Sequence, residues 1–310
     1  MARISRTDWL ETFVAFCDHG SFTLAARALH RSQSRVSAHV ADLEKALGQS
    51  LVDRTHRPPE LTHAGAEFLP HARAILAAIQ GACDDVDRLT SQVRGRVMVG
   101  THPSISAGWM PGLLVRLTQT HPHIRVTLIE RTTADLVGML TEGAVDLAVL
   151  ARAPDARTPL LEAVPLWTEP YVAVVRADDA TLPEGVPCAE LVARPLIGIS
   201  AASPTLEREF ASWFEHFGLP MPALEWSTEQ PQTAINLVRE GLGVAIINNL
   251  AYRTAGHAGL AVRLASEPPY VRTVHLWHDT RRRLSAAATA LADLIVHHPV
   301  PPGCEAVGSR

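Results

Sequence analysis

Three short amphipathic segments crowd into residues 7–48, each closed by its own start and stop signals, and together they leave few folds open. Leu10, Phe13, Val14 and Cys17 recur at the i, i+3, i+4, i+7 spacing of one helix face. Thr7 is placed to cap that helix at its N-terminus and Gly20 to stop it at its end. Thr23 is placed to cap a second helix that turns Ala25, Ala26 and Leu29 inward. His30-Arg31 reads as a tight turn. Ser32 then caps a third helix, with Val36, Val40, Leu43 and Leu47 inward and Gly48 as its stop. Two short helices joined by a turn of about three or four residues form a helix-turn-helix unit.

The segment LVDRTHRPPELT follows. Leu51-Val52 and Glu60-Leu61-Thr62 can pair as a short hairpin, which puts Arg54, His56 and Arg57 at its tip as a basic wing. The whole chain carries a net charge of -4, so it is not a polybasic nucleic-acid binder. Distribution matters more than the sum. No acidic residue occurs from His19 to Ala41, while Arg27, Arg31 and Arg35 do, together with His30 and His39.

A long helix is expected from Thr62, its cap, to Val93. Phe68, Ala72, Ile75, Ile79, Ala82, Val86, Leu89 and Val93 alternate in steps of four and three, the a/d seam of a coiled coil. The seam points to pairing of two chains. From Arg96 the texture changes to alternating strands and helices, which implies an α/β domain with largely parallel sheets. Strands are expected at Val97–Val99, Ile124–Ile129, Val145–Leu150, Tyr171–Val175, Leu196–Ile199, Val244–Ile247 and Thr273–Trp277. The tail PVPPGCEAVGSR reads as disordered.

At 310 residues and 47% hydrophobic, the chain is long enough for two domains with ordinary cores. No apolar run approaches the ~20 residues of a membrane helix, and the first residues do not read as a secretory signal. Cys17, Cys83, Cys188 and Cys304 are scattered without a CxxC spacing, as expected of reduced cytoplasmic thiols. The closest histidine pairs, His121/His123, His275/His278 and His297/His298, lack the partners of a metal site. No GxSxG elbow, P-loop or GxGxxG occurs, so neither a cofactor nor a catalytic set is expected.

The stretch GSFTLAARALHRSQSRVSAHVADLEKALGQSLVDRTHRPPELTHAG resembles the winged helix-turn-helix of LysR-type transcriptional regulators. The likeness runs through GSFT, AA, SQS-x-VS, LE-x-x-LG, R-x-x-R and LT-x-AG. GAVDLAVL, PHIRVTLIERTTADL and LVREGLGVAII resemble the family's regulatory domain. The fold class this implies is an N-terminal all-α winged helix-turn-helix with a long linker helix. It is followed by a C-terminal α/β two-lobed domain like a periplasmic binding protein. The implied boundaries are 1–62 for DNA binding, 63–93 for the linker helix and 94–298 for the regulatory domain. Lobe one would take 94–167 and 272–298, lobe two 168–271, and 299–310 the tail. Three positions depart from the family pattern: Val52 where Phe is usual, Arg35 where Ala is common, and Asn248-Asn249 where Pro is usual.

The resemblance implies a bacterial, cytoplasmic regulator, not an enzyme. Its partners would be an inverted-repeat promoter site in double-stranded DNA, a small-molecule effector, a second chain through the linker helix and a tetramer beyond that, with RNA polymerase as a further contact and no membrane. A recognition helix reads base edges with its first turns. Ser32, Gln33, Ser34, Arg35, Ser37 and His39 are expected there, with Gln33 suited to adenine and Arg35 to guanine or phosphate. Thr23, Arg54 and Arg57 are expected on phosphate or in the minor groove. In the regulatory domain, hydroxyls at strand-to-helix junctions suit an organic anion: Ser104, Thr132, Thr133, Ser200, Ser203 and Thr205, with Gln230 and Arg152 as weaker candidates. The alternatives are a cysteine-based redox sensor and a solute-binding module without regulatory DNA binding.

Overall fold

A computed structural model of the chain describes residues 4–87, 93–151, 159–179, 188–199, 211–221, 224–263 and 270–307. The chain divides into two compact units.

The first unit holds α1 (Thr7–His19), α2 (Phe22–Ala28) and α3 (Gln33–Leu47), then a hairpin of β1 (Val52–Asp53) and β2 (Glu60–Leu61), then α4 (His63–Asp87). Local chemistry sets these bounds. Gly20 and Gly48 take the left-handed conformation that ends α1 and α3. The Ser32 hydroxyl accepts from the Arg35 N–H at 3.3 Å, and Thr62 Oγ1 accepts from the Gly65 N–H at 3.0 Å to start α4. The cap of α2 is Ser21, whose Oγ accepts from Leu24 N at 3.1 Å; Thr23, expected there, lies inside the first turn instead. Val52 pairs with Leu61 in the antiparallel wing.

Leu10, Phe13, Phe16, Ala25, Val36, Val40, Leu43, Leu51 and Val52 form the core of this unit, and α4 adds Leu69 and Ala72. Burial of each large apolar side chain stabilises by roughly 1.5–3 kcal/mol. Val52 is thus a core residue, smaller than the Phe usual in the family. Gly65 is required by close approach, since a Cβ there would lie 2.1 Å from the Leu51 carbonyl oxygen. Phe68 and Ala72, the first seam positions of the linker helix, pack into this core. Ile75 and Ile79 stay 40% and 41% exposed. Leu89 lies outside the described residues.

The second unit is α/β. Its elements are β3 (Gly95–Thr101), α5 (Pro103–Gly108), α6 (Met110–Thr120), β4 (Ile124–Glu130), α7 (Thr133–Glu142), β5 (Leu147–Leu150) and β6 (Leu161–Arg176). Next come α8 (Cys188–Val192), β7 (Leu196–Ile199), β8 (Trp226–Thr228), α9 (Pro231–Arg239), β9 (Val244–Asn248), α10 (Asn249–Arg253) and β10 (Leu260–Arg263). The last are β11 (Val271–Asp279), α11 (Ala286–Val296) and β12 (Glu305–Ala306). The sheet order is β4-β3-β5-β11-β6-β9-β7-β8, with β10 and β12 also on β6. Pairing is parallel on both flanks, where β3 joins β4 and β5 and β7 joins β8 and β9. It is antiparallel in the middle, where β11 and β6 run from one lobe into the other.

One core lies over lobe one, with Leu136, Leu140, Ala148, Leu150 and Trp277. Lobe two packs on both faces, with Trp213 and Phe214 on one and Ile235, Val238 and Ile247 on the other. The expected disorder of 299–310 is corrected as far as Val307. Glu305 and Ala306 pair with Thr168 and Trp167 of β6. Trp109 Nε1 donates to the Pro299 carbonyl at 2.8 Å, and Asn249 Nδ2 donates to the Gly303 carbonyl at 3.3 Å.

Candidate DNA-reading surface and effector cleft

On the first unit, the exposed side of α2 and α3 carries Thr23, Ser32, Gln33, Ser34 and Arg35, with Ser37 half-buried beside them. His30, in left-handed conformation, makes the turn that sets α3 after α2. The Ser32 and Ser34 hydroxyls lie 3.1 Å apart, leaving Gln33 and Arg35 as the long side chains of this surface.

His39 does not belong to it. The residue is 6% exposed, and its Nδ1 lies 3.1 Å from Thr12 Oγ1 on α1. Its position falls between Val36 and Val40 on the buried stripe of α3. His39 ties α3 to α1 and is withdrawn from the base-reading set.

On the wing, Arg57 is exposed. Arg54 is held in place: it donates to Ser37 Oγ at 3.3 Å and to Glu44 Oε2 at 3.4 Å, and it stacks 5.3 Å from the Phe22 ring centroid. Asp53 shapes the turn by accepting from Thr55 N at 2.8 Å and Thr55 Oγ1 at 2.6 Å. Those bonds hold its carboxyl below the usual range.

In the second unit, a cleft of about 380 Å³ opens between the lobes. Its inner wall includes His102, Ser104, Tyr171, Asn248 and Arg272, and its lining also carries Glu130, Thr132, Asp135, Glu229 and Gln230. Glu169 lies fully buried next to this wall. Arg272 Nε donates to Glu169 Oε1 at 2.9 Å. Asn248 Nδ2 and the Leu250 N–H both donate to Glu169 Oε2 at 3.1 Å. A buried charge needs such partners, because an unpaired one is very costly. Glu169 and Arg272 are also direct cross-strand neighbours on β6 and β11, at the point where the chain passes between lobes. The Arg272 guanidinium lies 5.7 Å from the Tyr171 ring centroid.

Burial, followed by the Arg272 charge, pushes the His102 imidazole down to about 3, against a smaller opposing pull from Glu169. His102 is neutral at physiological pH, and its Nε2 lies 3.0 Å from Thr133 Oγ1.

Of the expected effector hydroxyls, Ser104 and Thr132 line the cleft. The Thr132 hydroxyl is engaged with Asp135 Oδ2 at 2.7 Å. Thr133 is 3% exposed and stands behind His102 rather than in the lining. Ser200, Ser203, Thr205 and Arg152 lie outside the described residues. Sequence reasoning missed His102, Tyr171, Glu169 and Arg272 in this site. Asn248 had left a signal, as a departure from the family's Pro.

The thiols of Cys17 and Cys304 are pushed up to about 12 by burial, the reverse of what an oxidant-sensing thiolate needs. No group of three or more His, Cys, Asp or Glu able to hold a metal occurs among the described residues.

Residues 7–66 match the family model for bacterial regulatory helix-turn-helix proteins of the lysR family, and residues 90–299 that for the LysR substrate binding domain. The chain belongs to the LysR-type transcriptional regulators. It is therefore a DNA-binding regulator with an effector-binding domain. A probable RuBisCO transcriptional regulator of Cyanidioschyzon merolae is 34% identical over 172 residues, which span 55% of this chain and 57% of that protein. A probable hydrogen peroxide-inducible genes activator of Mycobacterium avium is 30% identical over 270 residues, 84% of each chain. Among solved structures, full-length CbnR complexed with target DNA shares the fold with a TM-score of 0.65 at 21% identity, covering 94% of this chain and 98% of that one. Among the described residues, no helix of this LysR-type chain is long and apolar enough to cross a membrane.

Proposed function

We propose that this regulator acts in the cytoplasm as a dimer, or a tetramer built from dimers, on an inverted-repeat promoter site. A small organic anion in the interlobe cleft would alter that binding, and RNA polymerase would be a further contact. The observation that carries the reading is the exposed, acid-free surface formed by α2 and the first turns of α3, with Gln33 and Arg35 at its centre. Helix α3 enters the major groove, Gln33 reads adenine, and Arg35 takes guanine or a phosphate. Arg57 on the wing and Thr23 on α2 bind the backbone. The first unit is close to charge balance, so one copy gains little from electrostatics alone, and paired binding supplies the affinity.

The exposed Ile75 and Ile79 on α4 support pairing through the linker helix. In the cleft, the Ser104 hydroxyl and the Arg272 guanidinium favour a carboxylate. The effector acts only by binding two arrangements of the protein with different affinity. The burial of Cys17 and Cys304 weighs against the redox alternative, and a winged helix-turn-helix at the head of the chain weighs against a plain solute-binding module.

The test is fluorescence anisotropy of the full chain on its own upstream intergenic DNA. It is run at two salt concentrations beside a scrambled duplex, with organic acids added. Site-specific binding that an acid shifts is expected. Equal weak binding to both duplexes would overturn the reading.

A further inference from the structure

Asn248 stands at the end of β9, lines the cleft and is only 6% exposed. Its carboxamide orientation is fixed by chemistry, because the Glu169 carboxylate only accepts and so must face the amide nitrogen. One Nδ2 hydrogen goes to Glu169 Oε2 at 3.1 Å. The other goes to Ser104 Oγ, 3.4 Å away on α5. Both amide protons are thereby used. Asn248 Oδ1 has no protein donor among the described residues. Ser104 Oγ accepts from Asn248, and its own O–H has no protein acceptor among them. The inner wall thus presents an unused acceptor and an unused donor on two neighbouring, buried side chains. Arg272 lies on the same wall.

We infer that the cleft selects a carboxylate with a hydrogen-bond donor on the adjacent carbon, an α-hydroxy or α-amino acid, and that Asn248 is the residue that reads that donor. This rests on the cleft being the effector site. The ligand carboxylate accepts from the Ser104 hydroxyl and faces Arg272, while its α-hydroxyl or α-ammonium donates to Asn248 Oδ1. A plain carboxylate carries acceptors only. It satisfies Ser104 but leaves Asn248 Oδ1 buried without a donor, and an unmade bond at a buried polar group costs about tenfold in affinity or more. The lining carries charges of both signs, so Glu130, Asp135 and Glu229 can face an ammonium and Arg131 and Arg272 a carboxylate. The hydroxyl and ammonium arms of the panel below separate the two ligand types.

The experiment is calorimetric titration of the full-length protein with three matched sets: succinate, malate and aspartate; hexanoate, 2-hydroxyhexanoate and norleucine; 3-phenylpropanoate, 3-phenyllactate and phenylalanine. In whichever set binds, the α-substituted acid should bind about tenfold tighter than its plain parent. In Asn248→Ala the α-substituted acid and its plain parent should bind alike, whatever the change in affinity common to both. Ser104→Ala should weaken every member. A plain carboxylate that binds as tightly as its α-substituted partners overturns the inference, as does a preference that survives Asn248→Ala. Should Asn248→Ala fail to fold, the rank order in the unmodified protein decides alone. Binding that ignores Ser104→Ala places the ligand elsewhere and overturns the cleft reading itself. A panel with no binder overturns this inference alone, and the acid-driven shift of DNA binding then judges the cleft reading separately.

Discussion

His102 Nε2 lies 3.0 Å from Thr133 Oγ1, a buried contact that ties the residue preceding α5 to the first residue of α7 beside the cleft. Burial and the Arg272 charge push this imidazole from 6.5 to about 3. The unfolded chain takes up the proton near its ordinary value, and the folded chain only near 3. Stability from this group is therefore fully present above about pH 6.5 and declines as pH falls from there towards 3. Urea unfolding followed by tryptophan fluorescence should show a steeper loss of stability between about pH 7 and pH 5 than in His102→Gln. Parallel profiles for the two proteins would mean that His102 titrates normally.

Thr133→Val removes the hydroxyl behind His102 and leaves the cleft lining chemically intact. Loss of one buried hydrogen bond costs about 0.5–1.5 kcal/mol. The effector concentration for half-response should rise severalfold, while effector-free DNA affinity stays unchanged. Loss of DNA binding in this variant would make Thr133 a structural residue.

Gln33→Ala should relax preference at one base pair in each half-site, because a good bidentate contact discriminates by about 1–3 kcal/mol. Binding to substituted operators, compared base by base, gives the answer. An unchanged preference profile would remove Gln33 from the reading set.

The two wing arginines separate a phosphate contact from a positioning role. Arg57→Ala should weaken binding to all sequences alike and flatten the salt dependence by about one unit of slope. Arg54→Ala should also loosen the wing, because Arg54 is braced by Ser37, Glu44 and the Phe22 ring. A cation–π contact at a partly exposed site contributes about 0.5–1 kcal/mol. Thermal unfolding of the first unit should fall slightly in Arg54→Ala and not in Arg57→Ala. Equal melting of the two variants would count against the brace.

What was legible in the sequence was local. Ser32, Gly20, Gly48 and Thr62 cap or stop their helices as their residue types require. The burial of His39 is also legible, since Val36, His39, Val40 and Leu43 follow the i, i+3, i+4, i+7 spacing of a buried stripe. The strand expected at Tyr171–Val175 covers only the last part of β6, and the part before it contains Pro165 and Pro170, residues that disfavour a strand interior. The pair of Glu169 and Arg272 was out of reach for a different reason. It joins residues 103 positions apart, and no local pattern announces a partner at that distance. A chain terminus is expected to be disordered unless tied down, and the tail's order comes from bonds to Trp109, Asn249 and β6, which no local pattern announces.

The seam of α4 splits into two roles. Phe68 and Ala72 pack into the first unit's own core, whereas Ile75 and Ile79 are 40% and 41% exposed on the same helix. A single helix gains nothing from two exposed isoleucines one turn apart, whereas a second copy can bury both. The double variant Ile75→Glu, Ile79→Glu places charges on that stripe without touching the core below it. Light scattering should show a shift towards monomer, with the first unit still folded by circular dichroism. Affinity for a full inverted repeat should fall to that for a single half-site, because the second half-site no longer binds as an intramolecular event. An unchanged mass in solution would move the pairing surface off α4.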